Sequence, residues 1–184
     1  MKDAARRYCR EIEGAAGSSD IGFLRRINGL LPELYWRAQA LPDINPWAGT
    51  SDEEFTIGYE AAASAKEHHL WRERYRLAGE TVRHLLGTRG WYWAVFDPFE
   101  KNEGLQNSLA DDLADIYADL MQEFSRDESS GEDSTERLWH WRWAFANHWG
   151  KYHLPRAMNA ICWLVYDKWD EDKEAWSETE TAET

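Results

Sequence analysis

Apolar residues recur every three or four positions along most of the chain, which predicts a mainly helical protein. The first long helix is predicted over residues 20–41, with Asp20 as its cap and a kink or local break at Pro32. Residues 41–50 are rich in proline and glycine and are expected to form a loop. A second long helix is predicted over residues 62–86.

The third helix is predicted over residues 109–124 and is introduced by a capping box, in which Ser108 precedes Asp111 by three positions. Before it, residues 91–96 have the composition of a short extended segment, and Asp97-Pro98 then favours a turn because the residue before a proline avoids the helical region. This half of the chain is therefore expected to contain one short non-helical insertion.

A fourth helix is predicted over residues 134–168, after a polar, flexible stretch at residues 127–133. Ser134 is its expected cap, and Gly150 and Pro155 are the positions where it should bend. The acidic residues beyond it, rich in Ser and Thr, have the composition of a disordered tail.

The simplest architecture for these elements is an all-α, single-domain, antiparallel bundle of four to six helices over residues 1–169, followed by a disordered acidic tail at residues 170–184. A chain of 184 residues is long enough to bury one core without a metal or disulfide. The 12 tryptophans among its aromatic residues exclude disorder for most of its length.

The charge is strongly negative and unevenly distributed. The chain carries a formal charge of −13, and residues 91–134 contain 12 acidic but only 2 basic residues. Coulomb repulsion therefore disfavours nucleic acid or an anionic membrane surface as a partner. A basic protein partner is favoured instead, and the stretch at residues 97–133 could alternatively mimic a phosphate backbone.

The two cysteines, Cys9 and Cys162, form no C-x-x-C pair, so neither a disulfide framework nor a cysteine zinc site is indicated. The charged start lacks the apolar run of a signal peptide, and no stretch is apolar for long enough to predict a membrane helix. These features favour a cytoplasmic location.

Several strings occur together in a recognisable order: LLPELY at 30–35 with LPD at 41–43, VFDP at 95–98, SLADDLADIY at 108–117 and FANHWG at 145–150. Over residues 23–165 the combination resembles an uncharacterised bacterial family, domain of unknown function 5063. The resemblance implies a helical, cytoplasmic bacterial protein and supplies no catalytic roles. The acidic tail and two tryptophans, Trp139 and Trp143, lie outside that pattern.

The third predicted helix carries four aspartates: Asp111, Asp112, Asp115 and Asp119. A helical projection of about 100° per residue places them away from the apolar stripe, which favours a solvated acidic face. The alternative is a divalent-metal site that uses Asp112 and Asp115, since Asp112 borders the stripe and is best placed to turn inward. A match to the aspartate-rich motif of isoprenoid synthases is rejected because no second metal motif is evident.

His148 projects to the edge of the core stripe of the fourth helix. We expect it to be a buried histidine bonded to Asp112 or Asp97, and a general base only if that pair borders a pocket. No histidine has H-E-x-x-H spacing or a histidine partner at i+4, which excludes a zincin. No nucleophile elbow, Walker loop or dinucleotide fingerprint is present either.

Tryptophans divide into two groups on the fourth helix. Trp141 and Trp149 project onto its core face, whereas Trp139 and Trp143 project outside it. Because Trp is enriched in interface hot spots, the second pair is a candidate association surface. The alternative is that another helix, such as the N-terminal one, covers the pair.

Two functions from different classes follow. The first is a non-enzymatic interaction module of the adaptor, inhibitor or toxin-neutralising type, without a cofactor, that binds a basic protein or a second copy of itself. Its contacts would be Trp139 and Trp143 with Asp111, Asp115 and Asp119. The alternative is a metal- or histidine-dependent hydrolase-like enzyme that uses Asp97, Asp112, Asp115 and His148.

Overall fold

A computed structural model describes residues 1–44, 65–95, 99, 103–130 and 135–168. The described residues of the first half form helices α1 (Lys2–Glu13), α2 (Asp20–Gln39) and α3 (Ala65–Leu86), with 3₁₀ turns at Ala15–Gly17 and Gly87–Gly90. A mainly helical single domain, as predicted, is confirmed. The predicted tail, the Asp97-Pro98 turn, the cap at Ser134 and the start of the predicted helix at 62–64 lie outside the described residues.

The second half begins with two short strands, β1 (Trp91–Ala94) and β2 (Leu105–Ser108), and continues as helix α4 (Leu109–Ser130). The remaining helical stretch changes its winding three times: α5 (Thr135–Ala144), π1 (Phe145–His153), α6 (Leu154–Trp163) and π2 (Leu164–Lys168). Here π1 and π2 are π-helical, with hydrogen bonds from i to i+5 rather than i to i+4.

Two local expectations need correction. Helix α2 continues through Pro32 without ending, although proline removes one intrahelical hydrogen bond. Helix α4 extends to Ser130, so residues 127–130 of the predicted flexible stretch are helical, and residues 131–133 lie outside the described residues. The polar residues there are compatible with a helix, and no glycine or proline occurs before Gly131. The serine half of the predicted capping box is confirmed, because the backbone N–H of Asp111 donates to Ser108 Oγ at 3.4 Å, while the Asp111 carboxylate accepts from the hydroxyl of Tyr75.

The core is built by α1, α2, α3, α4 and the helical stretch from α5 to α6, and α3 contributes Ala78, Val82 and Leu86. Its large fully buried side chains include Tyr8, Phe23, Leu34, Leu113 and Trp149. Tyr8 from α1 donates its hydroxyl hydrogen to the carbonyl oxygen of Leu113 in α4 at 2.7 Å, which satisfies the buried phenol. The N-terminal helix is therefore an integral part of the core.

Helices α3 and α4 run antiparallel. Trp71 near the start of α3 contacts Asp119 in α4, and two turns later a Cβ at Gly79 would lie 3.5 Å from the Cβ of Ala114. This distance is an ordinary van der Waals contact, so the two helices pack closely at Gly79 and Ala114. This pairing brings the aromatic side chains of α3 to the acidic face of α4.

The two strands form an antiparallel hairpin in which Tyr92 pairs with Asn107. Along β1 the side chains alternate, so Trp91 and Trp93 are exposed while Tyr92 is half-buried and directed to α4. The predicted extended segment at 91–96 is thereby confirmed for its first four residues.

None of the helices among the described residues combines the length and the apolar character needed to cross a membrane.

Candidate metal centre

One face of α4 carries three acidic side chains in register. Asp112, Asp115 and Asp119 follow one another at spacings of three and four, which places them along one side of an α-helix. Asp112 and Asp115 are buried, with 3% and 8% of their surfaces exposed. The prediction that the acids face away from the core is therefore wrong for these two, while the inward orientation expected of Asp112 is confirmed.

The facing element is π1, which contributes two histidines. His148 and His153 are five positions apart in the sequence, and their rings lie edge to face with centroids 4.8 Å apart. In a regular α-helix, residues at i and i+5 point about 140° apart, so this proximity depends on the wider winding of the π-helix. Gly150, between them, is buried and lies against Phe145, where a β-carbon would meet the Phe145 ring.

Each histidine is paired with an aspartate of α4. Nδ1 of His148 lies 2.6 Å from Oδ2 of Asp119, and Nδ1 of His153 lies 2.9 Å from Oδ1 of Asp112. Because an ionised carboxylate only accepts hydrogen bonds, Nδ1 of each ring must carry the proton. In the neutral ring this leaves the lone pair on Nε2, the nitrogen that faces away from the carboxylate partner.

Aromatic donors hold three of the carboxylates from the opposite side. Trp71 Nε1 donates to Asp119 Oδ1 at 2.7 Å, and the hydroxyl of Tyr92 donates to Asp112 Oδ2. The hydroxyl of Tyr75 in α3 donates to Asp111 Oδ1. These contacts fix the carboxylates in position, as expected for buried polar groups in a preorganised site.

The fourth carboxylate, Asp115, completes a compact set of metal-ligating groups. Asp115, His148 and His153 each offer a ligand atom, and these three atoms lie within 4.8 Å of one another. His153 Nδ1 is also 3.4 Å from Asp115 Oδ2. Two imidazoles and one carboxylate are a ligand set that suits zinc, iron or manganese.

The electrostatics of the cluster favour a cation. Burial raises the pKa of Asp115 to about 6, with further upward contributions from Asp111 and Asp119, while His153 and His148 oppose the shift. The hydrogen bond to Asp119 raises the pKa of His148 above its ordinary value, although burial acts in the opposite direction. The positive charge near Asp115 is therefore too small to offset the burial of its carboxylate. A bound metal ion would supply the missing positive charge.

Sequence reasoning found part of this set. It named Asp112, Asp115 and His148, and it placed His148 correctly at the edge of the core, where its side chain is 37% exposed. The expected partner was wrong, since His148 pairs with Asp119, while Asp112 belongs to His153. Asp97, the other predicted partner, lies outside the described residues.

His153 is a candidate metal ligand that the sequence pattern did not indicate. The signal in the sequence is a pair of histidines at i and i+5 with a glycine between them. A π-helical winding is needed to place both histidines on the same side of the helix. Tyr75, Tyr92 and Trp71 reach the cluster through tertiary packing and leave no local signal in the sequence.

The prediction for the tryptophans of α5 and π1 is confirmed for the two core residues and only partly for the second pair. Trp141 and Trp149 are buried core residues. Trp139 and Trp143 are half-buried, their rings stack with centroids 6.0 Å apart, and Trp143 packs against the core. Their use as an association surface stays a prediction, as does the use of Asp111, Asp115 and Asp119 as partner contacts.

Residues 1–167 match the protein family described as "Domain of unknown function (DUF5063)". The chain belongs to this family. The resemblance seen in its sequence is thereby confirmed, and this DUF5063 protein matches the family over nearly all of the residues that the structure describes.

A crystal structure of protein BF1032 from Bacteroides fragilis is similar in fold, with a TM-score of 0.62 at 20% sequence identity over 90% of each chain. No curated protein matches the DUF5063 chain.

Proposed function

We propose that this DUF5063 protein is a metal-dependent hydrolase whose divalent transition-metal ion is bound by Asp115, His148 and His153. The observation that carries the proposal is the convergence of one ligand atom from each residue within 4.8 Å. Around an ion with ligand distances near 2.1 Å, tetrahedral ligand atoms are separated by about 3.4 Å. The ring nitrogen of His153 that lies 3.4 Å from Asp115 Oδ2 is Nδ1, so coordination through Nε2 requires the His153 and Asp115 side chains to move.

The hydrogen bonds around the histidines support the proposal. Metal-binding histidines commonly donate the other ring N–H to a carboxylate, which fixes the tautomer and the ring orientation. Asp119 and Asp112 occupy that position for His148 and His153. The pairs therefore leave Nε2 of each ring available as a metal ligand.

Three candidate ligands occur among the residues that the structure describes, a number that favours catalysis over a structural role. Structural zinc sites use four protein ligands, whereas catalytic sites use three and keep a position for water or substrate. A metal ion in such a site lowers the pKa of its bound water toward neutrality and so generates a nucleophile for hydrolysis. No nucleophilic side chain is required for this chemistry, in agreement with the absence of a nucleophile motif in the sequence.

Metal titration of chelator-treated protein tests the proposal. Zn²⁺, Mn²⁺ and Co²⁺ are added separately, and binding is followed by calorimetry and by the thermal midpoint, which rises when a ligand binds only the folded state. We expect one ion per chain. His153→Ala should abolish both signals, and so should Asp115→Asn.

His84→Ala is the matched control for the histidine variant, because His84 is exposed on α3, far from π1 in the sequence. It should bind metal like the unmodified protein. The proposal fails if none of the three ions binds, or if His153→Ala and His84→Ala bind metal equally well. Circular dichroism of each metal-free variant establishes that loss of binding is not loss of folding.

A second candidate function is association with a basic protein or with a second copy of the chain. We place this function in the cytoplasm, where reducing conditions suit the free cysteines Cys9 and Cys162. The half-buried, stacked pair Trp139 and Trp143 favours it. Replacement of both by Ala, followed by sedimentation and partner capture at low and high salt, tests this function. Unchanged association in a folded variant removes it.

A further inference from the structure

Arg156 lies in the first turn of α6, three residues beyond His153. Its side chain is 19% exposed, and its Nη2 lies 3.4 Å from Asp112 Oδ1 and 3.5 Å from His153 Nδ1. The guanidinium therefore borders the proposed metal centre without belonging to its ligand set.

The hydrogen-bonding capacity of Arg156 is mostly unused. Nε is buried and has no hydrogen-bond partner among the described residues. The contact with Asp112 is long, since charge-assisted N–H···O bonds normally measure about 2.7–2.9 Å. His153 Nδ1 carries a proton that it donates to Asp112, so it cannot also accept one from Arg156. Because no short hydrogen bond of the Arg156 guanidinium has to be broken, an anionic partner can bind it at a small cost in free energy.

From this geometry we infer that Arg156 binds a phosphoryl group of the substrate beside the metal ion. This inference rests on the proposed function and specifies its substrate class. The planar fork formed by the two Nη groups of the guanidinium matches two oxygens of an oxyanion, whereas Nε is buried. A phosphoryl group keeps a third oxygen for the metal ion, whereas a carboxylate has only two oxygens in total.

The surrounding charge makes this binding dependent on the metal. Asp111, Asp112, Asp115 and Asp119 repel an anion, and Arg156 alone does not offset them. A divalent ion adds two positive charges at the same place, so metal and phosphate should each increase the affinity for the other. Phosphate should therefore bind weakly or not at all after chelation.

The experiment titrates inorganic phosphate into Mn²⁺-saturated protein and follows heat and thermal midpoint, with acetate as the carboxylate comparison. Arg156→Gln should retain Mn²⁺ binding and weaken phosphate binding by about tenfold or more. Arg156→Lys keeps the charge but loses the fork, so it should also bind phosphate more weakly. Arg25→Gln, at an exposed position on α2, should have no effect.

The possible failures are distinguishable. Absence of Mn²⁺, Zn²⁺ and Co²⁺ binding to the unmodified protein overturns the proposed function and this inference together. If Mn²⁺ binds normally, three results overturn the inference and leave the proposed function standing. These are no binding of phosphate, binding of acetate as tight as that of phosphate, and equal phosphate binding by Arg156→Gln and Arg25→Gln. If Arg156→Gln does not fold, Arg156→Lys decides, and unchanged phosphate affinity in that variant overturns the inference.

Discussion

His148 and His153 are separated by five positions in the sequence, yet their ring centroids lie 4.8 Å apart. The π-helical winding of π1 produces this relationship, because the same spacing in an α-helix would turn the two side chains about 140° apart. π-Helical segments are uncommon and occur frequently at functional sites. The candidate metal centre therefore depends on a backbone conformation as much as on its ligands.

Gly150→Ala should disrupt this conformation. A Cβ at residue 150 would overlap the Phe145 ring and lie 2.6 Å from the Phe145 carbonyl oxygen, so neighbouring backbone would have to move. Overpacking of this kind costs about 1–3 kcal/mol, although alanine is normally the better helix former. Urea unfolding should show the loss, and metal affinity should fall with it.

Gly29→Ala is the matched control for this glycine. Gly29 lies inside α2, and a Cβ added at this position would have no neighbour within 4 Å. This variant should be more stable by about 0.5–1 kcal/mol because alanine favours the helix. Equal stabilisation by both substitutions would contradict the packing argument for Gly150.

The carboxylates behind the histidines should tune metal affinity without binding the ion. Asp112→Asn and Asp119→Asn each remove a charged acceptor of an imidazole N–H. Loss of such a partner typically weakens metal binding by about 10–100-fold. Competition with a chelator of known affinity measures the change, and Asp43→Asn, at an exposed position, provides the control. Unaltered affinity in both variants would assign these aspartates a purely structural role.

Stability of the metal-free protein should fall as the pH rises through the range set by Asp115. Its pKa is raised from 3.8 to about 6, so between these values the folded state holds a proton that the unfolded state has released. A shift of about two units corresponds to at most about 3 kcal/mol of stability lost above pH 6. His148, whose pKa is also raised, acts in the same direction at higher pH, because its stabilising contribution is lost once the ring deprotonates.

Asp115→Asn isolates this effect, since the amide does not titrate. The variant should gain stability relative to the unmodified protein as the pH rises from 4 to 8, and the difference between their unfolding free energies should change most near pH 4–6. Urea unfolding at several pH values, in the presence of a chelator, measures that difference. A constant difference across the range would show that burial of Asp115 carries no titration penalty.

The sequence allowed much of the fold to be predicted, because periodicity and caps act locally. Ser108 illustrates this, because it accepts from the N–H of Asp111 as predicted. The predicted cap at Asp20 is wrong by one residue, since Ser19 is the N-cap of α2, without a side-chain bond, and Asp20 is the first helical residue. The site was harder to predict because a projection of about 100° per residue assumes α-helical winding, and π1 departs from it. Burial of Asp115 depends equally on the element packed against α4, which lies far away in the sequence.

Replacement of Trp149 should destabilise the protein far more than replacement of the exposed Trp163. Trp149 is fully buried beside Phe145, with ring centroids 5.0 Å apart. In the sequence of π1 it lies between His148 and His153. Trp149→Ala should cost about 3–5 kcal/mol, because the large ring leaves a cavity that its neighbours fill incompletely. Trp163→Ala, at a position 56% exposed in α6, should change stability by only about 0.5 kcal/mol. Urea unfolding of the two variants side by side measures the contrast, and equal losses would mean that burial does not determine the contribution of these tryptophans.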